Sequence, residues 1–140
     1  YELALARAQA VVCSLRRMGS LGELCDRAAG EIRALTGYDR VMVYRFDEHG
    51  HGQVVAEDRL PELESFLDLR YPATDIPAQA RRLYLLQRVR TIGRVDYEPV
   101  PVLADGALGD AAPLDMSYCA LRSVSPIHLE YLANMGVGAT

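Results

Sequence analysis

Apolar residues recur at helical spacing near the start of the chain. Leu5, Ala8, Val12 and Leu15 share one side of a wheel whose remainder carries Arg7, Gln9, Arg16 and Arg17. Gly19 interrupts this helix, and Ser20-Leu21-Gly22-Glu23 then has the form of a capping box, in which the Ser and Glu side chains satisfy each other's free backbone N–H groups. The second helix carries Leu21, Leu24, Cys25, Ala28, Ile32 and Leu35 on one side, with Cys25 read as a small core residue. Gly37 ends it as a left-handed C-cap. From Arg40 to Asp47 the period changes to two. Met42, Tyr44 and Phe46 take one face of a strand, and Val41, Val43 and Arg45 take the other. Glu48-His49-Gly50-His51-Gly52 reads as a hairpin turn, with Gln53 to Glu57 as the returning strand.

Beyond the hairpin the pattern is less regular. Leu60 to Leu69 reads as a short helix and connector, and Arg90 to Val95 as a strand. A Pro-, Gly-, Ala- and Asp-rich connection follows from about Asp96 to Met116, a length that in compact domains marks a functional or disordered loop. Ser125 as N-cap and Pro126 at the first position open the last helix, and Gly136 closes it. There are no internal repeats.

At 140 residues the chain is one domain or less, and with 50% apolar residues it is long enough for a single core. The net charge of −4 and the lack of a basic patch argue against nucleic acid as partner. No apolar run approaches the length of a membrane span, and no basic-then-apolar export signal is visible. Cys13, Cys25 and Cys119 are odd in number and lack metal-ligand spacing, so they read as reduced thiols of a cytoplasmic protein. His49 and His51 have no third ligand in the sequence around them and read as solvated turn residues rather than a metal site. The chain begins with Tyr and stops at Gly138-Ala139-Thr140, and reads as a fragment.

The stretch RYPATDIPAQARRLYLLQRVR, residues 70–90, carries the most chemistry. Pro72 and Pro77 fix φ near −65° and keep the preceding residues out of helical geometry. The turn holding Asp75 is therefore stiff and its carbonyls are poor candidates for helix hydrogen bonds. A helix from about Pro77 to Gln87 follows, with Arg82, Arg88 and Arg90 toward its far end. Two readings stand side by side. Asp75 caps this helix, or the kink and the arginines receive a ligand with N–H donors at one end and carboxylates at the other, as an open-chain tetrapyrrole has.

PATDIP, followed by ARRLY and then VR, resembles the bilin-binding motif of phytochromes, specifically of bacteriophytochromes. LRSVSPIHLEYLANMGV, Leu121 to Val137, resembles the other half of the same pocket, and GYDRVMVYRFDEHGHGQVVAE, Gly37 to Glu57, resembles the opening strands of the GAF domain that forms it. The resemblance runs over roughly 100 of the 140 residues, in three separated blocks and in the family's order.

The resemblance implies an α+β GAF fold, an antiparallel sheet flanked by helices, spanning residues 1–140 and truncated before its last strands. An upstream PAS domain and downstream PHY and output domains, often a histidine kinase, are implied outside the chain. The implied activity is red/far-red light sensing by photoisomerisation of a bilin, with no enzymatic chemistry in these residues and a homodimer formed through helices in the full-length protein. Arg90 and Arg122 are implied to serve one propionate, for which the planar, always charged guanidinium is suited. The main-chain carbonyl of Asp75 is implied to face the pyrrole nitrogens, and His128 to bind a water that completes the set. Taken alone, His128 near a helix start is an ordinary polar residue whose protonation the helix dipole disfavours. Tyr44, Met42, Tyr71, Ile76 and Tyr131 are implied to wall the conjugated plane, although Tyr and Met at strand spacing also read as ordinary core. Pro77, Tyr84 and Ser125 are implied to belong to the same site.

Plant-type and cyanobacterial-type phytochromes carry the attachment cysteine beside the helix His, where this chain has Leu129. The implied cofactor is therefore biliverdin, attached through a cysteine upstream of this chain. Cys119 alone of the three cysteines is expected near the pocket. Other readings are a GAF regulatory module for a different small ligand such as a cyclic nucleotide, an enzyme using Cys119 or His128, and an engineered near-infrared fluorescent derivative. The intact Asp75 disfavours the last, the PATDIP-to-SPIH pair disfavours the first, and no triad-like arrangement supports the second.

Overall fold

The computed structural model describes residues 2–102, 114–119 and 123–140. Arg122 and most of the connection from Asp96 to Met116 lie outside them. The chain divides into two compact units, residues 1–81 and 82–140.

The first unit holds helices α1 (Glu2–Leu15) and α2 (Leu21–Thr36) and the strands β1 (Arg40–Phe46), β2 (Gly52–Arg59) and β3 (Arg70–Tyr71). The strands form an antiparallel sheet in the order β1-β2-β3. Ser20 caps α2 by accepting from the Glu23 N–H at 3.2 Å. The reciprocal bond of a capping box is shifted by one residue, because the Glu23 carboxylate takes the Gly19 N–H at 3.0 Å. Gly37 at φ 74° closes α2 and donates to the Arg33 carbonyl, a left-handed position where glycine has no Cβ penalty.

α2 packs against β1 and β2, and small residues make that close approach possible. Ala29, Val54 and Ala56 are fully buried, while Leu21, Leu24, Ile32 and Leu35 of the expected core stripe are exposed. Cys25 and Ala28 are half-buried. The face that meets the sheet is thus centred on Ala29, not on the large aliphatics. Burying a side chain such as Val54 stabilises the unit by about 1.5–3 kcal/mol.

The hairpin forms where the pattern predicts it, with β2 longer than Gln53–Glu57 by one residue before and two after. Asp47 organises the turn, its Oδ1 accepting from the His49 and His51 N–H groups at 2.9 Å each. Val43 pairs with Ala56 and Tyr44 with Val54, so Val55 is the extra residue of a β-bulge. Bulges bend and twist a strand locally, here beside Tyr44.

No helix forms between Leu60 and Leu69. Glu57, whose side chain is only 2% exposed, captures the Phe66 N–H and the Ser65 hydroxyl, while Arg40 takes the Glu64 carbonyl at 2.7 Å. The Phe66 N–H and the Glu64 carbonyl are backbone groups that a helix would need for itself. The Arg40 guanidinium also lies 2.8 Å from Glu57 and 3.8 Å from the Phe66 ring centroid. Asp68 adopts φ 67°, a left-handed conformation uncommon outside glycine.

α3 (Ala78–Leu86) begins in the first unit and ends in the second. It stops before Arg88 and Arg90, so these arginines are not delivered by the helix as the sequence suggested; Arg82 lies within it. The second unit also holds α4 (Pro126–Asn134). Ser125 precedes α4 but its side chain makes no capping bond; only its carbonyl is used, by the His128 and Leu129 N–H groups. At the other end Gly136 has φ 72°, and the Gly136 and Val137 N–H groups return to the carbonyls of Ala133 and Leu132. This is a Schellman closure, with Leu132 buried beneath it. Arg90 to Val95 is not a regular strand. It is an extended segment in which Ile92 and Thr140 exchange hydrogen bonds and the Val95 N–H reaches the Gly138 carbonyl at 2.9 Å. The expected strand is thus replaced by an irregular extended pairing with residues 138–140.

Candidate functional site

In the first unit the candidate site is built on the turn from Pro72 to Pro77. The Asp75 N–H closes a tight turn onto the Pro72 carbonyl at 3.1 Å. The Pro77 carbonyl accepts from Ala80 and Arg81 N–H groups, so Pro77 itself occupies the capping position and α3 begins one residue later. Among the described residues the exposed Asp75 carboxylate makes no hydrogen bond to that helix. The cap reading of Asp75 is therefore not realised. The carbonyls of Thr74 and Asp75 likewise accept no hydrogen bond from the described residues. That arrangement leaves acceptors on a rigid kink, available to an N–H-bearing ligand.

An aromatic cluster stands on the sheet of the same unit. The Tyr44 and Phe46 centroids are 5.1 Å apart with an edge-on geometry, and Tyr44 and Tyr71 are 5.9 Å apart. Gly52 pairs with Phe46 on one side and with Tyr71 on the other. A Cβ at Gly52 would overlap the Tyr44 phenol, so the ring rests directly on backbone. Burial raises the Tyr71 pKa; Arg40 opposes this, and the charges of Asp75 and Glu57 reinforce it. Tyr71 thus stays a neutral donor at ordinary pH. Met42 is exposed on β1, Ile76 is half-buried and Pro77 is exposed.

In the second unit, Arg90 is half-buried in the extended segment after α3, with its guanidinium 5.2 Å from the Tyr84 ring centroid. That distance fits a cation–π contact, in which the ring face attracts the charge. His128 sits in the first turn of α4, and Tyr131 follows one turn later, 39% exposed. Partial burial lowers the His128 pKa first, and the nearby positive charge of Arg90 lowers it further. With its pKa lowered, the imidazole stays neutral down into the pH range where a free histidine would gain its proton, able to accept at one nitrogen and donate at the other. Ser125 is exposed at the N-terminus of α4, and Arg122 lies outside the described residues. Tyr97 and Gln87 hold the neighbouring loop segments through bonds to the Val124 N–H and the Tyr118 carbonyl, each at 2.7 Å.

Three positions were missed in the sequence. Gly52 has a signal, a glycine at the start of a strand facing aromatics, but its Tyr44 partner depends on the hairpin register. Tyr97 gives no pattern at all. Arg81 is adjacent to Arg82, and only the phase of α3 decides which of the two turns back to the kink: the Arg81 Nη1 reaches the carbonyls of Ala73, at 2.9 Å, and of Ile76. Cys13 and Cys119 are exposed and Cys25 is half-buried, and none of the three forms a disulfide. Among the described residues no group of three or more His, Cys, Asp or Glu is placed to hold a metal ion. No helix of the described residues is long and apolar enough to cross a membrane.

The sequence matches the GAF domain family over residues 20–140. The chain belongs to the GAF domain family. Its curated relatives include a bacteriophytochrome of Xanthomonas campestris pv. campestris, 51% identical over 99% of this chain and 22% of that protein. Cyanobacterial phytochrome B of Nostoc sp. is 50% identical over 84% of this chain and 16% of its own length. The chain thus spans about a fifth of the length of these curated relatives. Among solved structures, the chromophore-binding domain of Stigmatella aurantiaca phytochrome P1 superposes with a TM-score of 0.92 at 47% identity, over 97% of this chain and 44% of that one. The expected α+β GAF fold, with its antiparallel sheet and flanking helices, is what this GAF domain has.

Proposed function

We propose that this GAF domain binds biliverdin and forms the chromophore-binding part of a red/far-red photoreceptor, flanked in the full protein by PAS and PHY domains. The observation that carries this reading is the 47% identity, over 97% of the chain, to a phytochrome chromophore-binding domain. The chemistry of the residues fits such a group. A bilin offers pyrrole N–H donors, two propionates and an extended conjugated plane whose light-driven isomerisation supplies the signal.

In the first unit the Asp75 carbonyl, unused by the described residues, suits the pyrrole N–H groups. Tyr44 and Tyr71, with Met42, Ile76 and Pro77, supply flat apolar surface. In the second unit the Arg90 guanidinium, oriented over Tyr84, suits a propionate, and Arg122 is assigned the same task. His128 provides a neutral ring that can hold a bridging water, and Tyr131 and Ser125 on either side of it belong to the same set. The domain itself performs no bond-breaking chemistry in this proposal; its residues bind, orient and exclude water. Attachment is through a cysteine upstream of this chain, the full protein is a homodimer formed through helices, and its output, such as a histidine kinase, lies in another domain.

The test is assembly of the full-length protein with biliverdin, followed by difference spectra under red and far-red light. Reversible photoconversion is the expected result. No bilin absorbance would refute binding, and a bound but light-inert bilin would refute the sensory role.

A further inference from the structure

Two carbonyls of the turn, those of Ala73 and Ile76, accept from the same nitrogen, Nη1 of Arg81. Thr74 and Asp75 lie between them in sequence, and their own carbonyls take no hydrogen bond from the described residues. The guanidinium is also enclosed from the side of the β1–β2 hairpin. A Cβ on Gly50 would come within 2.7 Å of the Arg81 Nη2 and 2.8 Å of its Cζ, and Gly50 has φ +83°, which glycine alone adopts readily. The Phe46 ring centroid is 6.0 Å from the Arg81 Cζ. Arg81 is thus braced by the hairpin while it grips the turn.

We propose that Arg81 is a positioning residue for the pigment, acting through the Asp75 turn; this rests on the bilin-binding reading above. The guanidinium is planar and keeps its charge at any ordinary pH, so its grip does not vary with proton concentration. Binding both carbonyls holds the 73–74 and 76–77 peptide planes, which bracket the two peptide units that meet at Asp75. The Asp75 carbonyl, in the unit next to the 76–77 plane, is thereby narrowed in orientation. The same grip uses the outer carbonyls of the turn and leaves those of Thr74 and Asp75 as acceptors for ligand N–H groups. An acceptor held against protonated pyrroles favours the protonated form and raises the pH at which the bound pigment loses a proton. Arg82, next along the helix, makes no such contact and lies exposed.

The experiment compares the full-length protein with its Arg81→Met and Arg81→Lys variants after assembly with biliverdin. The readout is the midpoint of the absorbance change as the bound pigment deprotonates. Arg81→Met should lower the midpoint by about one pH unit. Arg81→Lys, whose shorter, tetrahedral head reaches only one of the two carbonyls, should lower it by less but measurably. A role confined to stability would change the unfolding temperature and leave the midpoint in place. Midpoints equal to wild type in the folded, pigment-loaded variants would overturn the positioning role alone. Should Arg81→Met fail to fold, an Arg81→Lys midpoint equal to wild type would overturn it. Absence of any bilin band in the wild type would instead overturn the binding reading, and this inference with it.

Discussion

The phenol of Tyr44 rests on the backbone of Gly52, at the first residue of the neighbouring strand, where a side chain as small as a methyl would displace it. Phe46 and Tyr71 flank the same ring, at 5.1 and 5.9 Å between centroids. One glycine therefore sets the height of an aromatic surface assigned to the pigment.

Gly52→Ala should accordingly do more than add a methyl group. Overpacking at a fixed site costs about 1–3 kcal/mol, and here the displaced group is the Tyr44 ring. The expected outcome is a lower urea midpoint together with an altered absorbance of the assembled pigment. A variant as stable as wild type, with an unchanged spectrum, would show that the ring has room to move.

Glu57 makes acid a selective stress. Burial, its largest single influence, raises the pKa, but the Ser65 hydroxyl, the Phe66 N–H and the Arg40 and Arg59 charges together bring it below the ordinary 4.5. A lowered folded pKa means stability that is present above the unfolded value and lost as pH falls through the folded one. The contribution is thus complete above pH 4.5 and declines on acidification below it. Glu57→Gln should cost about 2 kcal/mol at neutral pH and flatten the decline in acid. Urea denaturation at neutral and acidic pH checks both; equal acid sensitivity in the two proteins would assign the loss to other carboxylates.

Much of this architecture was legible in residue types that force the backbone. Gly37 and Gly136 end α2 and α4 in the left-handed region, and the two prolines around Asp75 keep that turn out of the helix. The hairpin followed from a change in period. What could not be read depends on partners far along the chain. Leu60 to Leu69 has helix-forming composition, yet Glu57 and Arg40 divert its backbone groups. The core stripe of α2 was misjudged because close packing on the sheet selects Ala29 over the larger residues. For the candidate site, Asp75, His128 and Arg90 were singled out through motif wording, whereas the contacts of Arg81 depend on the phase of α3 and those of Gly52 on a strand register.

Asp75→Asn separates a structural carboxylate from a photochemical one. The side chain makes no hydrogen bond among the described residues, so the substitution should change stability by less than about 0.5 kcal/mol, as at an ordinary surface site. The main-chain carbonyl proposed to face the pigment is retained, and biliverdin should still bind. The carboxylate charge is lost, and formation of the light-induced product should be impaired. Flash-photolysis yields of the two proteins decide the matter. Normal photoconversion in the variant would confine the function of Asp75 to its backbone.

Covalent attachment offers a test that is independent of the pocket's electrostatics. Leu129 follows His128 directly on α4, at the place where the resemblance to plant-type and cyanobacterial-type phytochromes would put an attachment cysteine, and a leucine cannot form a thioether. The three thiols that the chain does contain are elsewhere: Cys13 on α1, Cys25 on α2 and Cys119 in the segment before α4. Cys13 and Cys25 are in the helices that open the first unit, with Cys25 half-buried in α2, and neither adjoins the Asp75 turn in sequence. Cys119 is exposed and is the one whose reactivity has to be excluded directly. In the full-length protein, replacing all three by serine should leave the zinc-fluorescent biliverdin adduct at wild-type intensity, if the linkage is made, as proposed, by a cysteine upstream of this chain. Loss of the adduct in the triple variant, with restoration when Cys119 alone is returned, would instead move the attachment point into this domain.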